Sequence, residues 1–348
     1  MAAPKKNYVL PFEVTIAGQT LTQKDPKGLS YLCIEDHLEM IGLAQLQFGV
    51  GELKWESFEP GDDVVVTVGD NARQMFKGHI TGFRHTYGSS APETFTILAM
   101  DPLVRMAASR NTKVWGDGET PEQLDSQIAS DVIERSGCMA GKVDETGPLY
   151  KYVMQRNESD FNFLKRLAAR NGYMLRANEG LIDFIKPEFG GPINFDSVRE
   201  IISLDYTVDA TMVPPFVSVV GWDYFAKEVV QGFGGSDELL LTGTGDDVAC
   251  TNGDFWNEMA YVSDVLCMSQ DAALEMAVGD INRHARRALR GRAVVAGNAD
   301  VFAGQKVAFS KLGPRRNPEG LILSARHVIQ SERGFTTEFQ FIGNTWPV

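Results

Sequence analysis

The chain has 348 residues, with 33 Lys plus Arg against 46 Asp plus Glu and a formal charge of −13. That balance denies a nucleic-acid binder its counterion-releasing basic surface, and 43% hydrophobic with 10% aromatic residues is too rich in core-forming side chains for disorder. No apolar run approaches the roughly 18 residues of a membrane-spanning helix, the Tyr8–Phe12 stretch is too short and proline-broken for a signal peptide, and Cys33, Cys138, Cys250 and Cys267 form no C-x-x-C pair, so they read as buried thiols.

In chain order, runs rich in Val, Ile, Phe and Thr between glycines predict strands over Asp63–Val68, Phe76–Tyr87 and Thr94–Ala99. A helix follows, opening at Thr120-Pro121-Glu122-Gln123, where Thr120 caps and Gln123 completes a capping box. Its apolar stripe is Leu124, Ile128 and Val132, and Gly137 stops it. A second helix spans about Glu158–Asn171, with Asn157 as cap, Phe161, Leu164, Leu167 and Ala168 on the buried face, and Gly172 as stop. Strands at Leu181–Ile185 and Phe216–Val220 precede the longest helix, about Gln270–Arg290. Its apolar positions include Leu274, Ala277, Val278, Ile281, Ala285 and Ala288, and its acidic residues come early and its arginines late, as the helix dipole favours. Strands at Lys306–Phe309, Gly320–Val328 and Thr336–Ile342 end the chain.

An internal repeat organises these elements. Gly61-Asp62-Asp63-Val64 leads to Gly78-His79-Ile80, then Arg84-His85; Gly304-Gln305-Lys306-Val307 leads to Gly320-Leu321-Ile322, then Arg326-His327. The offset is 243 residues for the first part and 242 for the second, which argues for two copies of one β-domain built on a hairpin. The expected fold is α+β, mainly β. A first β-barrel occupies 1–110, an α/β insert 111–205, and a second barrel 206–348, with a helical insertion at about 270–290.

Further motifs carry a resemblance. Gln155-Arg156-Asn157-Glu158-Ser159-Asp160-Phe161 with Asn171-Gly172-Tyr173, the Phe76-Lys77-Gly78-His79-Ile80-Thr81-Gly82 hairpin, the Asp101-Pro102-Leu103 turn and Val219-Val220-Gly221-Trp222-Asp223 resemble, in order, the baseplate hub proteins of contractile injection machines. That family comprises phage late control protein D and the N-terminal part of VgrG spike proteins. The resemblance implies a structural protein: a homotrimer in which two tube-like barrels per chain adapt a six-fold tail tube to a three-fold central spike. It implies a tail tube protein or tube initiator, a spike, wedge proteins and a tape measure protein as partners, and a place in the virion or injection-particle baseplate, assembled in the host cytoplasm. VgrG-type chains continue into a needle, whereas this one stops at Trp346-Pro347-Val348, so the expectation is a hub with a separate spike.

Catalytic, cofactor and metal sites are not expected. No G-x-S-x-G, H-E-x-x-H or P-loop occurs, and Gly232–Asp237 and Gly243–Asp246 are only fragments of a dinucleotide fingerprint. The rival readings are a hub-borne cell-wall hydrolase with a hidden carboxylate pair, and a carbohydrate-binding barrel. The interface candidates are Phe76, His79, Arg84, His85, Arg286, Arg287, Arg290, Arg326 and His327. The repeat-equivalent His85 and His327 read as structural, with Arg84 and Arg326 seeking acidic groups on a neighbouring subunit. No specific nucleic-acid binding or membrane insertion is expected.

Overall fold

A computed structural model describes residues 11–22, 29–49, 57–69, 71–89, 93–116, 122–187, 190–196, 200–211, 213–248, 260–263, 267, 269–330 and 334–348. First come β1 (Phe12–Ile16), β2 (Gln19–Thr22), β3 (Leu29–His37), β4 (Leu43–Gly49), β5 (Asp63–Val68), β6 (Arg73–Thr86) and β7 (Thr94–Met100). A mixed segment follows: α1 (Leu103–Ala108), β8 (Arg110–Trp115), β9 (Gln123–Leu124), α2 (Asp125–Arg135), β10 (Ala140–Val143), β11 (Leu149–Tyr150), β12 (Val153–Ser159), α3 (Asp160–Arg170), β13 (Met174–Asn178) and β14 (Leu181–Ile185). The remainder is β15 (Ile193–Phe195), β16 (Ile201–Val208), β17 (Val217–Asp223), β18 (Glu228–Gly234), β19 (Ala260–Ser263), α4 (Gln270–Ala285), β20 (Leu289–Ala296), β21 (Lys306–Phe309), β22 (Glu319–Gln330) and β23 (Gly334–Gly343). The fold is α+β and mainly β, and no helix of the described residues is long and apolar enough to cross a membrane.

One sheet holds both repeats. Its order is β16-β20-β23-β22-β3-β4-β7-β6-β5-β1-β2, with β21 and β15 branching from β22. The path β3-β4-β7-β6-β5-β1 is repeated as β16-β20-β23-β22-β21-β15, so the two β units expected from the sequence are halves of a single sheet.

The match extends to register. Val64 pairs with Gly78, and Val307 pairs with Gly320. Gly61 N–H donates to Ile80 O and Gly304 N–H to Ile322 O, each at 2.8 Å. Both glycines need positive φ, +101° and +89°. Each long strand then carries a β-bulge at the corresponding place, after Ile80 and after Ile322. A Cβ on Gly78 would collide with the carbonyl of Met100, and one on Gly320 would press on that of Ile342, so the hairpin glycines make room for the crossing strand. The copies differ at the margin: β1 runs antiparallel to β5, whereas β15 runs parallel to β21.

Three main cores follow from this layout. Val14, Leu46, Val64 and Ile97 are among the apolar residues buried under the first half, and Leu289, Phe309, Phe339 and Phe341 under the second. The third joins α1, α2 and α3 to α4, β17 and β18 through residues such as Ile128, Leu164, Val217 and Ile281. Helix α4, expected within the second barrel domain, thus shares its core with the mixed segment. Arg170 and Asn171 at the end of α3 hold the buried Asp125 at the start of α2.

Helix boundaries differ from the sequence reading at identifiable points. Helix α2 starts at Asp125, because Gln123 and Leu124 pair as a strand with Tyr150 and Leu149, and the cap interaction is Leu124 N–H donating to Gln127 Oε1 at 3.1 Å; Thr120 and Pro121 lie outside the described residues. Ser159, not Asn157, caps α3 by accepting from Asn162 N–H at 3.2 Å, while Asn157 sits at positive φ in a bulge of β12. Phe163 is the fully buried aromatic of α3 and Phe161 only half-buried. Helix α4 is capped by Ser269 as its position predicts but ends at Ala285, and Leu274 on its stripe is exposed. The residues after it turn into β20, where Gly291 lies beneath the Phe341 ring with no room for a Cβ. Arg290 is therefore a strand residue, not the last turn of a helix.

Candidate functional site

The halves are joined where β22 passes from one neighbour to another. Its first residues pair with β21, and from Ser324 onward the same side pairs antiparallel with β3, Ser324 opposite His37 through Gln330 opposite Tyr31. Arg326 faces Glu35 in this joint, with Nε 3.1 Å from Oε1, and its guanidinium also donates to Cys33 Sγ and Tyr31 OH, both at 3.4 Å. The Cys33 contact is the first cause raising the Arg326 pKa above its ordinary value. The acidic partner expected on another subunit is thus supplied by the neighbouring half of the same chain.

On the other face of β22, His327 is buried. Its Nε2 lies 3.0 Å from Val301 O and its Nδ1 3.1 Å from Thr337 Oγ1. Burial pulls its pKa down to about 4, so the ring is neutral and Nε2, facing a carbonyl, carries the hydrogen.

The counterparts of these two edges are open. Strand β6 pairs with β5 only as far as His79, with β7 along its other side; beyond Ile80 the β5 side pairs with nothing among the described residues. Strand β16, the counterpart of β3, pairs with β20 alone among the described residues. The open part of β6 and the residue that follows it carry aromatic groups: Phe83 is 37% and Tyr87 83% exposed. His85 Nε2 lies 2.8 Å from Glu93 Oε1. Along β16, Leu204, Tyr206 and Val208 alternate with the exposed Ser203, Asp205 and Thr207.

Of the residues singled out from sequence, Arg84 and His85 lie on the open edge and Arg326 and His327 in the formed joint. Phe76 is interior, in the first-half core. His79 Nδ1 lies 3.0 Å from Asp63 Oδ1, its pairing partner across the hairpin. Arg286, Arg287 and Arg290 line a separate cavity. Sequence reasoning missed Glu35 and the whole of β16. The motif covers only the hairpin, and β16 is separated from β20 by the β17–α4 insertion, so β3 and β16 do not share the hairpins' offset.

Two carboxylates, the buried Asp101 and the half-buried Asp36, line a small cavity of about 100 Å³. Asp36 Oδ2 accepts Ala303 N–H at 2.7 Å, and Asp101 accepts Gly42 N–H at 2.6 Å and Leu103 N–H at 2.9 Å. Burial raises both pKa values, that of Asp101 to about 7. Their oxygens hold backbone amides, and the space beside them suits a few waters rather than a sugar ring. Among the described residues no group of three or more His, Cys, Asp or Glu could hold a metal ion. The β17–β18 hairpin exposes Trp222, Phe225, Val229 and Phe233.

Residues 7–331 match the family described as the Alg8 N-terminal domain. No curated protein sequence matches the chain. Among solved structures, the chain is similar to a tail protein from Neisseria meningitidis, with TM-score 0.71 and 12% identity over 96% of this chain and 97% of that one. It is similar also to the 43 kDa tail protein of prophage MuSo2 from Shewanella oneidensis, with TM-score 0.68 and 13% identity over 96% and 98%. A third is an E. coli component of the type VI secretion system, with TM-score 0.60 and 15% identity over 96% and 79%. At these identities the likeness is one of fold, the β-rich α+β fold of those tail proteins. The hub family named from the motifs is a finer assignment than that likeness carries, and the family that matches bears a different description.

Proposed function

The chain belongs to the Alg8 N-terminal domain family, and for this member we propose a structural role, as the homotrimeric hub of a phage-tail or injection-particle baseplate that joins a six-fold tube to a three-fold spike. One observation carries the reading: the edges left open, on β6 and β16, are the repeat counterparts of the two edges already joined, on β22 and β3. A head-to-tail contact between unlike edges closes into a ring when the rotation allows, and three chains with two halves each present six alike joints.

Transferring the internal register to the open edges sets Gly82–Tyr87 of one copy antiparallel to Leu204–Asp209 of the next. Phe83 then faces Val208, Arg84 faces Thr207, and His85 faces Tyr206. Phe83, His85 and Tyr87 correspond to the buried Ala325, His327 and Ile329, so closure covers the apolar side of β6 with Leu204, Tyr206 and Val208. Arg84, like Arg326, gains a carboxylate within reach, Asp205 two residues along.

In this reading the chain works through interfaces rather than turnover, and the tube, spike and other baseplate proteins are its partners. If the ring lumen carries much of the −13 charge, passing DNA is repelled from its wall rather than captured. Light scattering on the purified chain tests the ring. A mass three times the 38.3 kDa of one chain supports it, and 38.3 kDa at every concentration counts against it.

A further inference from the structure

A cavity of about 330 Å³ opens between the end of α3, the C-terminal part of α4 and strands β22 and β23. Leu38, Met174, Leu321 and Leu323 contribute apolar lining. Four arginines border it, Arg283, Arg286, Arg287 and Arg290, against one carboxylate, Glu39. Arg283 is taken by Asp280.

Arg286 is not taken. It is 8% exposed, its Nε donates to Asn282 O at 3.1 Å, and no acceptor for its two Nη groups occurs among the described residues. Glu39 acts on it through charge alone, without a hydrogen bond, and Arg283 repels it. Most of the side chain is buried while its Nη groups open into the cavity, and two parallel N–H bonds to a carboxylate or phosphate would meet them best. A chain of charge −13 has carboxylates to spare, yet among the described residues none is hydrogen-bonded to these donors.

We propose that this cavity binds a carboxylate carried beside an apolar group, the acidic side chain or C-terminus of a polypeptide partner, whose neighbouring apolar side chain packs on the lining. The apolar lining favours this over inorganic phosphate, which would gain only the arginines. The cavity is built within one chain, so this binding and ring closure stand or fall separately.

Calorimetric titration of the full chain with N-acetyl-leucine, N-acetyl-leucinamide and inorganic phosphate tests it. N-acetyl-leucine is expected to bind about tenfold or more tightly than its uncharged amide and more tightly than phosphate, and Arg286→Met to remove the difference. Should that variant fail to fold, the rim pair Arg287→Gln with Arg290→Gln is expected to weaken N-acetyl-leucine several-fold. Equal binding of acid and amide, no binding of either, tighter binding of phosphate, or indifference to both variants overturns the proposal.

Discussion

Gly172 and Gly279 meet backbone to backbone where α3 ends against α4. A Cβ on Gly172 would stand 2.9 Å from Gly279 Cα, and one on Gly279 would stand 2.7 Å from Gly172 N. Gly172 also holds φ +67°, the left-handed stop its position predicts. Replacing a helical glycine by alanine ordinarily stabilises by about 1 kcal/mol. At Gly279 the sign reverses, because neither backbone can yield without parting the helices of the shared core. Gly279→Ala is expected to cost about 1–3 kcal/mol, read as a lower urea midpoint at unchanged slope. A raised midpoint would show that the helices part readily.

Acidification acts on Asp101 and His327 with opposite signs. Burial lifts the folded pKa of Asp101 to about 7 from 3.8, with the charge of Asp36 adding to it against the two amide hydrogen bonds. Its contribution to stability is complete below the unfolded value and is lost as pH rises through 7. His327 has a folded value of about 4 against 6.5. Its contribution is complete above 6.5 and is lost as pH falls toward 4. Asp101→Asn removes the compensating half. Between pH 7 and pH 4 the variant is expected to lose roughly 2–4 kcal/mol more unfolding free energy than the parent chain. Parallel pH profiles would contradict the assignment.

The joint between the halves has a charge signature. Arg326 and Glu35 are partly exposed, at 46% and 27% of their side chains, so their pairing is expected to contribute no more than about 1 kcal/mol. Arg326→Glu alone sets like charges opposite each other and lowers stability, and adding Glu35→Arg restores most of the loss. A double-mutant cycle with no coupling would show that Cys33 and Tyr31, rather than Glu35, hold the guanidinium.

The ring register is open to a covalent test. With Arg84→Cys and Thr207→Cys in one chain, oxidation is expected to link neighbouring copies into covalent dimers and closed trimers on a non-reducing gel. The pair Arg84→Cys with Ser203→Cys, four residues out of register, is expected not to link. Equal linkage by both pairs would mean that the edges meet without a fixed register.

Much of the sheet was legible because the repeat wrote the same constraint twice: glycines where strands cross, valine opposite glycine, and an Arg-His pair past the bulge. That pattern could place two hairpins but not the line between them, since strand pairing is a long-range choice that local sequence does not encode. Hence β22 joining β3, and the Glu35 opposite Arg326, came only with the fold. Helix ends failed for a local reason. Gln123, Leu124 and Asn157 have helix-start chemistry, yet each is claimed by a strand whose partner lies far along the chain. Arg286 carried no signal beyond its position in a basic run; that it is buried and unmatched depends on where α4 stops.

The β17–α4 insertion separates β16 from β20, whereas their counterparts β3 and β4 follow one another across a short turn. The valency of the molecule therefore depends on where it is gripped. A partner holding strand surfaces finds two near-equivalent stations on each chain, and one holding the insertion finds a single station. Counting bound partners per chain would tell which surface each of them reads.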